Sequence, residues 1–425
     1  MEASRSLENL GVAAANSNST NGSVRDESFK LMTADEGPLI TFFIPDLSVG
    51  GAERVTVNIV NGLARRGFNI ELLVSRNRGP LRAELDDSIP VRELWPYRTS
   101  LLGVAAHIPA LTTYFRKKRP AIFIPQLEHP SIVSLVAAGI SQTDCIVVPT
   151  QHSSFGPTID ETLKDGIVHT LVPHLYPRAD GVIAVSSGVA TSLVNNMALG
   201  PKDITVLHNP VEVEDIMPLS KEEAPHQWLA DPDIEAIVFV GRLAAQKDLL
   251  TWIDVFHELH SKRPRTRGII VGTGPKQGEL QDYAREMGLE ESISFPGFVK
   301  NQYAYMGHAD AFLLTSHYEG LPTVLIEAMA SGCPVVSTDC PSGPREILRD
   351  GELGPLAPIG DVQHLVQSLE LVLSEPPSAE FLIERAMDFS PETVFERYER
   401  FLNSLTETNR PSNRSVSVNE IPVNR

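Results

Sequence analysis

From Leu39 onward, short apolar runs alternate with longer amphipathic stretches, and this rhythm limits what the chain can become more than any other feature. The runs "LITFFIP", "NIELLVS", "AIFIPQ", "CIVVPTQH", "GVIAVS" and "ITVLHNP" lack polar alternation, so each reads as a strand buried on both faces. Such strands belong to a parallel sheet covered by helices. A Pro- and Glu-rich passage from Asn209 to Asp233 breaks the rhythm, which resumes with "AIVFVG", "GIIVGTG", "SISFPG", "AFLLTS" and "PVVSTD". The pattern predicts two doubly wound, Rossmann-like α/β domains facing a cleft, a partition that suits 425 residues. We expect the first domain over 37–210, a linker over 211–234 and the second domain over 235–388. The stretch "PETVFERYERFLNSL" predicts a closing helix over 389–405. Residues 1–36, polar and rich in Asn, Ser and Glu, are expected to be disordered, as is the polar tail 406–425.

The charge balance excludes one class of partner. With a formal net charge of −18 the chain lacks the clustered Lys and Arg that neutralise a nucleic-acid backbone, so any phosphate site must be local. Three cysteines, Cys145, Cys333 and Cys340, have no C-x-x-C spacing and form neither a disulfide framework nor a zinc site; they suit a reducing compartment. No run reaches the roughly 18 apolar residues of a membrane span, and the first residues lack the order of a signal peptide. The expected location is the cytoplasm, which makes the sequons at Asn18 and Asn21 chance matches.

The segment "SHYEGLPTVLIEAMASG" sets Glu319 and Glu327 on either side of a helix start. Pro322 suits the first helical position, and Val324, Leu325, Ala328 and Met329 recur at helical spacing. A helix start carries unpaired N–H groups and about half a positive charge, so the loop Gly320, Leu321, Pro322, Thr323 can hold a phosphate while the two carboxylates accept hydrogen bonds from sugar hydroxyls. That combination suits a nucleotide-sugar. "VFVGRLAAQKD" puts Arg242 and Lys247 beyond the first strand of the second domain, at the carboxyl edge where open α/β sheets bind ligands. A guanidinium fork and an ammonium there can neutralise a pyrophosphate.

"GIIVGTGPKQGEL" sets Gly272 and Gly274 at a strand-to-helix turn, which serves either tight packing or close approach to a ligand; the third glycine of a dinucleotide fingerprint is missing. In "FIPDLSVGGAERV", Gly50 and Gly51 precede a helix and bring N–H groups toward the cleft, with Arg54 near enough to meet an acceptor phosphate. His152 closes the run "CIVVPTQH", and Ser186 is placed to cap the following helix. The basic run Arg116 to Arg119 either complements a helix C-terminus or draws the chain to anionic lipid. The Asp-x-Asp string from Asp231 to Asp233 reads as a turn.

Over residues 39–405 these motifs resemble the retaining glycosyltransferases of family 4, which have the GT-B fold, and "CPSGPREILRDGELG" is similar to a subgroup building bacterial surface polysaccharides. The resemblance implies that Glu319 contacts the sugar and steadies its oxocarbenium character. It places Glu327 on the ribose hydroxyls, Arg242 and Lys247 on the diphosphate, and His152 against the donor sugar. Gly272 and Gly274 would lie near the nucleotide. It further implies a UDP-sugar donor of a hexose or N-acetylhexosamine, a saccharide or lipid-linked acceptor, no metal and no cofactor. Attack from the front face, with the leaving phosphate taking the acceptor's proton, follows by the same analogy, as does a final helix that crosses back to the first domain. The trio Leu321-Pro322-Thr323 departs from the aromatic and glycine that many members carry there. A sugar-nucleotide epimerase on the same fold and a catalytically inactive scaffold of a glycan assembly complex stand as alternatives.

Overall fold

The computed structural model describes residues 37–48, 50–94, 101–155 and 163–408. The tails expected over 1–36 and 406–425 lie outside these residues, apart from 406–408, which continue the last helix. The strands of the first lobe are β1 (Ile40–Ile44), β2 (Ile70–Val74), β3 (Val91–Glu93), β4 (Ile122–Pro125), β5 (Ile146–Val147), β6 (Thr150–Gln151), β7 (Val182–Ala184) and β8 (Ile204–Val206). Those of the second are β9 (Glu235–Val240), β10 (Thr266–Val271), β11 (Ile293–Gly297), β12 (Ala311–Leu314), β13 (Val335–Thr338) and β14 (Leu356–Ala357).

All strand pairs are parallel. The first sheet runs β3-β2-β1-β4-β5 and the second β11-β10-β9-β12-β13-β14, the same winding outward in both directions from a central pair. This is the doubly wound order, with a topological switch point between β1 and β4 in one lobe and between β9 and β12 in the other. The expectation of two Rossmann-like α/β domains holds. The run "CIVVPTQH" does not form the single strand its composition predicts. Pro149 has no N–H for a ladder, and the chain divides there: β5 stays in the first sheet, while β6 joins β7 and β8 in a separate three-stranded sheet. One bridge, Gln126 to Thr150, stitches the two together.

The central strands β1, β2, β4 and β12 are buried at every position, as their nearly uninterrupted apolar composition requires. At the sheet edges β3, β8 and β11 are only partly buried, so the runs "ITVLHNP" and "SISFPG" are not covered on both faces as expected. The span 211–234 holds two short helices, Val213–Leu219 and Gln227–Ala230, and the first buries Val213 and Ile216. The last helix, Pro391–Thr408, turns Val394, Phe395, Tyr398 and Leu402 into the first lobe's core. Its seat is cut by Gly62 of the helix Gly51–Arg65, where an added Cβ would sit 2.0 Å from the Phe395 ring.

Candidate functional site

The second lobe's switch point is laced together from the two loops that leave β9 and β12. Thr315 Oγ1 donates to the carbonyls of Lys247 and Asp248, each at 2.9 Å, and His317 N donates to Gln246 O at 2.9 Å. Gln246 returns a bond from its amide to Tyr318 O at 2.7 Å. The backbones being fixed, Lys247 Nζ donates to Glu319 Oε1 at 2.6 Å, and Ser316 Oγ donates to the same oxygen at 2.7 Å. The two side chains are only 16% and 8% exposed, so the pair lies in a low-dielectric setting where an unpartnered charge is costly. Arg242, from the same β9 loop, is exposed; its carbonyl accepts from Ala244 N at 2.9 Å, and its guanidinium has no hydrogen bond or ion pair among the described residues. Its charge still reaches Glu53 of the first lobe. Burial pushes the Glu53 carboxyl up and nearby Asp46 adds to this, while its own backbone N–H and Arg242 act in the opposite sense.

Glu319 and Gly320 precede the helix Thr323–Ala330, and Pro322 is its N-cap, one position ahead of the expected first turn. No side chain caps this helix; Leu325 N donates back to Pro322 O at 3.0 Å, and the N–H groups of Thr323 and Val324 ahead of it stay available among the described residues. Glu327, one turn in, accepts a bond from Gln302 Nε2 at 2.7 Å. Burial pushes its carboxyl up, against bonds from Gln302 and Thr323 and the charges of Arg54 and Lys247. Arg54 reaches this site only through its field, since its guanidinium forks onto Glu84 at 2.8 and 3.3 Å.

At the first lobe's switch point the contacts around His152 are made by neutral groups, while the charged Asp46, Arg54 and Glu128 of the same loops are held by Arg76, Glu84 and Gln151. Gly50 is the N-cap of the helix Gly51–Arg65, directly beyond β1. Beyond β4, Gln126 Oε1 lies 2.8 Å from His152 Nε2, and Gln126 Nε2 donates to Thr150 Oγ1 at 3.0 Å. An amide oxygen only accepts, so the His152 proton sits on Nε2. Burial pushes its imidazole down to about 4, and the ring is neutral near pH 7.

The two lobes meet at Gly320. A Cβ there would stand 1.8 Å from His152 O and 3.2 Å from the Ser153 Cα, so only glycine lets the Glu319 loop lie against the end of β6. Ser186 Oγ donates to Gly320 O at 2.8 Å and caps the helix Ser187–Asn196 through Val189 N. At the edge of this seam Glu346 takes two bonds from Ser187, from N at 2.8 Å and Oγ at 2.7 Å, and a third from His208 Nε2 at 2.6 Å. Arg397 donates to His208 Nδ1 at 3.0 Å, tying the last helix to the same cluster.

Glu319, Lys247, Gly320 and His152 therefore form one connected patch, with Arg242 beside it and Glu327 behind the helix start. Gly272 and Gly274 pack under the Arg242 loop, their would-be Cβ atoms 1.9 Å from Gly241 O and 2.2 Å from Leu243 O. The basic run is remote: it precedes β4, at the opposite edge of the sheet from Gln126, and Arg116 is bonded to Ile140 O at 3.0 Å. Asp231 and Asp233 form a turn closed by Asp233 N on Asp231 Oδ1 at 2.9 Å. Among the described residues no three of His, Cys, Asp and Glu gather in a metal-holding group, and no helix is long and apolar enough to cross a membrane. Sequence reasoning missed Gln126, Gln246, Gln302 and Ser316. Each lies just beyond a strand's carboxyl end or next to a residue it did select, which is the one signal that could have found them.

Two family matches divide the chain where the lobes divide. "Glycosyltransferase Family 4" matches residues 49–215, and "Glycosyl transferases group 1" matches residues 220–389. A lipopolysaccharide 1,6-galactosyltransferase of Salmonella typhimurium is 32% identical over 337 residues, covering 76% of this chain and 86% of that protein. The N-acetylgalactosamine-N,N'-diacetylbacillosaminyl-diphospho-undecaprenol 4-alpha-N-acetylgalactosaminyltransferase of Campylobacter jejuni is 27% identical over 343 residues, covering 78% and 89%. The crystal structure of Anabaena Alr3699/HepE in complex with UDP and glucose superposes with a TM-score of 0.70 at 21% identity, covering 87% of this chain and 100% of that one. With two doubly wound lobes meeting at their switch points and both family matches in register with them, the chain belongs to the family 4 glycosyltransferases of the GT-B fold.

Proposed function

We propose that the protein transfers a hexose or N-acetylhexosamine from a UDP-sugar to a hydroxyl of a saccharide or lipid-linked saccharide, with retention at the anomeric carbon, in the making of a bacterial surface glycan. The observation that carries this is the pairing of Lys247 with Glu319 across the β9/β12 switch point, with an Arg242 in the same loop whose guanidinium makes no hydrogen bond or ion pair among the described residues. An ammonium has three donors and spends one on Glu319, so it can turn the others to a phosphate oxygen while holding that carboxylate in place. Arg242 and the uncapped start of the Thr323–Ala330 helix supply further positive charge and donors for the diphosphate. These groups offset the leaving group's charge without a metal ion.

In this reading the second lobe holds the nucleotide-sugar and the first holds the acceptor. Glu327 receives the ribose hydroxyls, and Gly272 and Gly274 let the backbone pass close to the nucleotide. Glu319 receives a sugar hydroxyl on Oε2, and its charge steadies the oxocarbenium character as the bond from C1 to the phosphate oxygen breaks. The acceptor oxygen bonds to C1 on the face the phosphate leaves, and the departing phosphate takes the acceptor's proton. His152, neutral and oriented by Gln126, offers the sugar a polar edge. Gly50 and Gly51 bring amides to the same opening. A diphosphate linker on the acceptor, as the Campylobacter relative's name describes for its own substrate, suits Arg54. The run Arg116 to Arg119 suits peripheral contact with anionic lipid on the cytoplasmic membrane face, at roughly 1 kcal/mol per basic residue.

Thermal unfolding with UDP, GDP and ADP tests the donor assignment. A UDP concentration 100 times its dissociation constant adds about 2.7 kcal/mol of stability. Arg242→Ala and Lys247→Ala should each weaken UDP binding at least tenfold. Equal shifts with all three nucleotides, or UDP binding indifferent to both substitutions, would defeat it; NMR of the product anomer decides retention.

A further inference from the structure

Across from Glu319, on the first lobe, a second carboxylate is held in a setting that the site described above does not use. Glu128 stands beyond β4 at the first position of the helix Glu128–Ser141. Gln126, two residues earlier, orients His152, and Gln151, one residue before His152, orients Glu128: its Nε2 donates to Glu128 Oε1 at 2.9 Å and to Ser153 O at 3.1 Å. Tyr176 OH, fully buried, donates to Gln151 Oε1 at 3.1 Å and so fixes which end of that amide points at the carboxylate. Ser153 is the residue whose Cα lies against Gly320, so Glu128 is one amide away from the seam with the Glu319 loop.

The other oxygen is uncommitted. Oε2 has no hydrogen bond among the described residues, and the His169 ring nitrogen Nδ1 is 3.8 Å away. The Glu128 side chain is 27% exposed, open enough to be reached. His169 in turn stacks on Phe155, ring centroids 3.8 Å apart and planes within 9°. Phe155 is pinned at both backbone atoms by Ser192 Oγ, at 2.9 and 3.0 Å. Leu127, just before Glu128, has φ 72°, ψ 158°, a conformation that a non-glycine residue keeps only where surrounding structure enforces it.

A fixed carboxylate with a vacant oxygen accepts hydroxyl protons, and a flat aromatic pair beside it packs against the C–H face of a pyranose. We propose that Glu128, aligned by Gln151 and flanked by the Phe155–His169 stack, binds the hydroxyls of the acceptor sugar and sets which acceptor is used. The inference deepens the glycosyl-transfer reading and rests on it. Glu128 selects and orients the acceptor; the proton still leaves with the phosphate.

The test uses octyl glycosides of galactose, glucose, N-acetylglucosamine and N-acetylgalactosamine as acceptor probes for the full chain, with a UDP-sugar donor for the kinetics and with UDP bound for the NMR. Glu128→Gln keeps the shape and the bond from Gln151 but replaces the vacant oxygen by a donor. It should raise the acceptor KM at least tenfold and abolish saturation-transfer NMR contact with the preferred glycoside. UDP affinity and the slow hydrolysis of UDP-sugar without acceptor should stay within twofold, at an unchanged melting temperature. His169→Ala should raise the acceptor KM by a smaller factor. An unchanged acceptor KM in Glu128→Gln with UDP binding intact would overturn the proposal, whereas wild-type protein that fails to bind UDP would defeat the donor assignment beneath it.

Discussion

The two switch points share one topology, and the largely buried pair at the centre of each is of a different kind. Between β9 and β12 a largely buried ammonium is paired with a buried carboxylate, with a guanidinium in the same loop. Between β1 and β4 the pair is an amide and a neutral histidine, and the charged Asp46, Arg54 and Glu128 are held apart from it by Arg76, Glu84 and Gln151. The strand order is the same, outward from the central pair, so topology cannot be the source of the difference. Winding fixes where loops converge, and loop residues decide what can bind there. A charged pair suits a diphosphate, which needs compensation in a partly dehydrated place. A neutral pair suits sugar hydroxyls, which need aimed donors and acceptors and little field. The lobes touch through Gly320, which sets the charged pair against the neutral one with no side chain between.

Removing one partner at each switch point measures this contrast. Lys247→Ala leaves Glu319, 8% exposed, without its cation, and should cost about 3–5 kcal/mol in urea unfolding at pH 7. The double variant with Glu319→Ala should recover most of that loss, because the buried charge goes too. At the other switch point, Gln126→Ala leaves the His152 N–H without an acceptor. The loss should be about 1–3 kcal/mol, the range for an unsatisfied neutral donor. If Gln126→Ala proves as costly as Lys247→Ala, the distinction between a charged and a neutral pair fails.

The fold was legible because its signal is local. "LITFFIP" has six apolar or β-branched residues in a row before its proline, and β1 lies there, buried throughout. "CIVVPTQH" looked equally continuous, yet Pro149 cannot pair within a ladder, and the break sends β6 to another sheet. In the site, charge and glycine beyond a strand end mark a loop as worth attention, which is how Arg242, Lys247 and Glu319 stood out. That Lys247 bonds to Glu319, 72 residues away, is set by β9 and β12 being neighbours, and strand order is not written in any window of sequence. Gln126 and Gln302 were invisible for another reason: an uncharged amide has no periodicity or charge pattern, and its role exists only in what it touches.

The finest test of the contrast is the pH dependence of the neutral pair. His152 is held down to about 4 by burial, against an ordinary value of 6.5. Between those values the unfolded chain binds a proton at this residue that the folded chain refuses, so stability falls as pH drops from 6.5 toward 4 and gains nothing above that window. The slope contributed by one site cannot exceed about 1.36 kcal/mol per pH unit, and between pH 7 and pH 6 the loss is under about 1 kcal/mol. Comparing the wild type with His152→Gln in urea titrations isolates it, because every other titrating group is common to both chains. The wild type should lose stability more steeply over this window. Parallel curves would mean that the imidazole is as free to take a proton when folded as when unfolded, and the buried amide–histidine pair would then be charged at mildly acid pH.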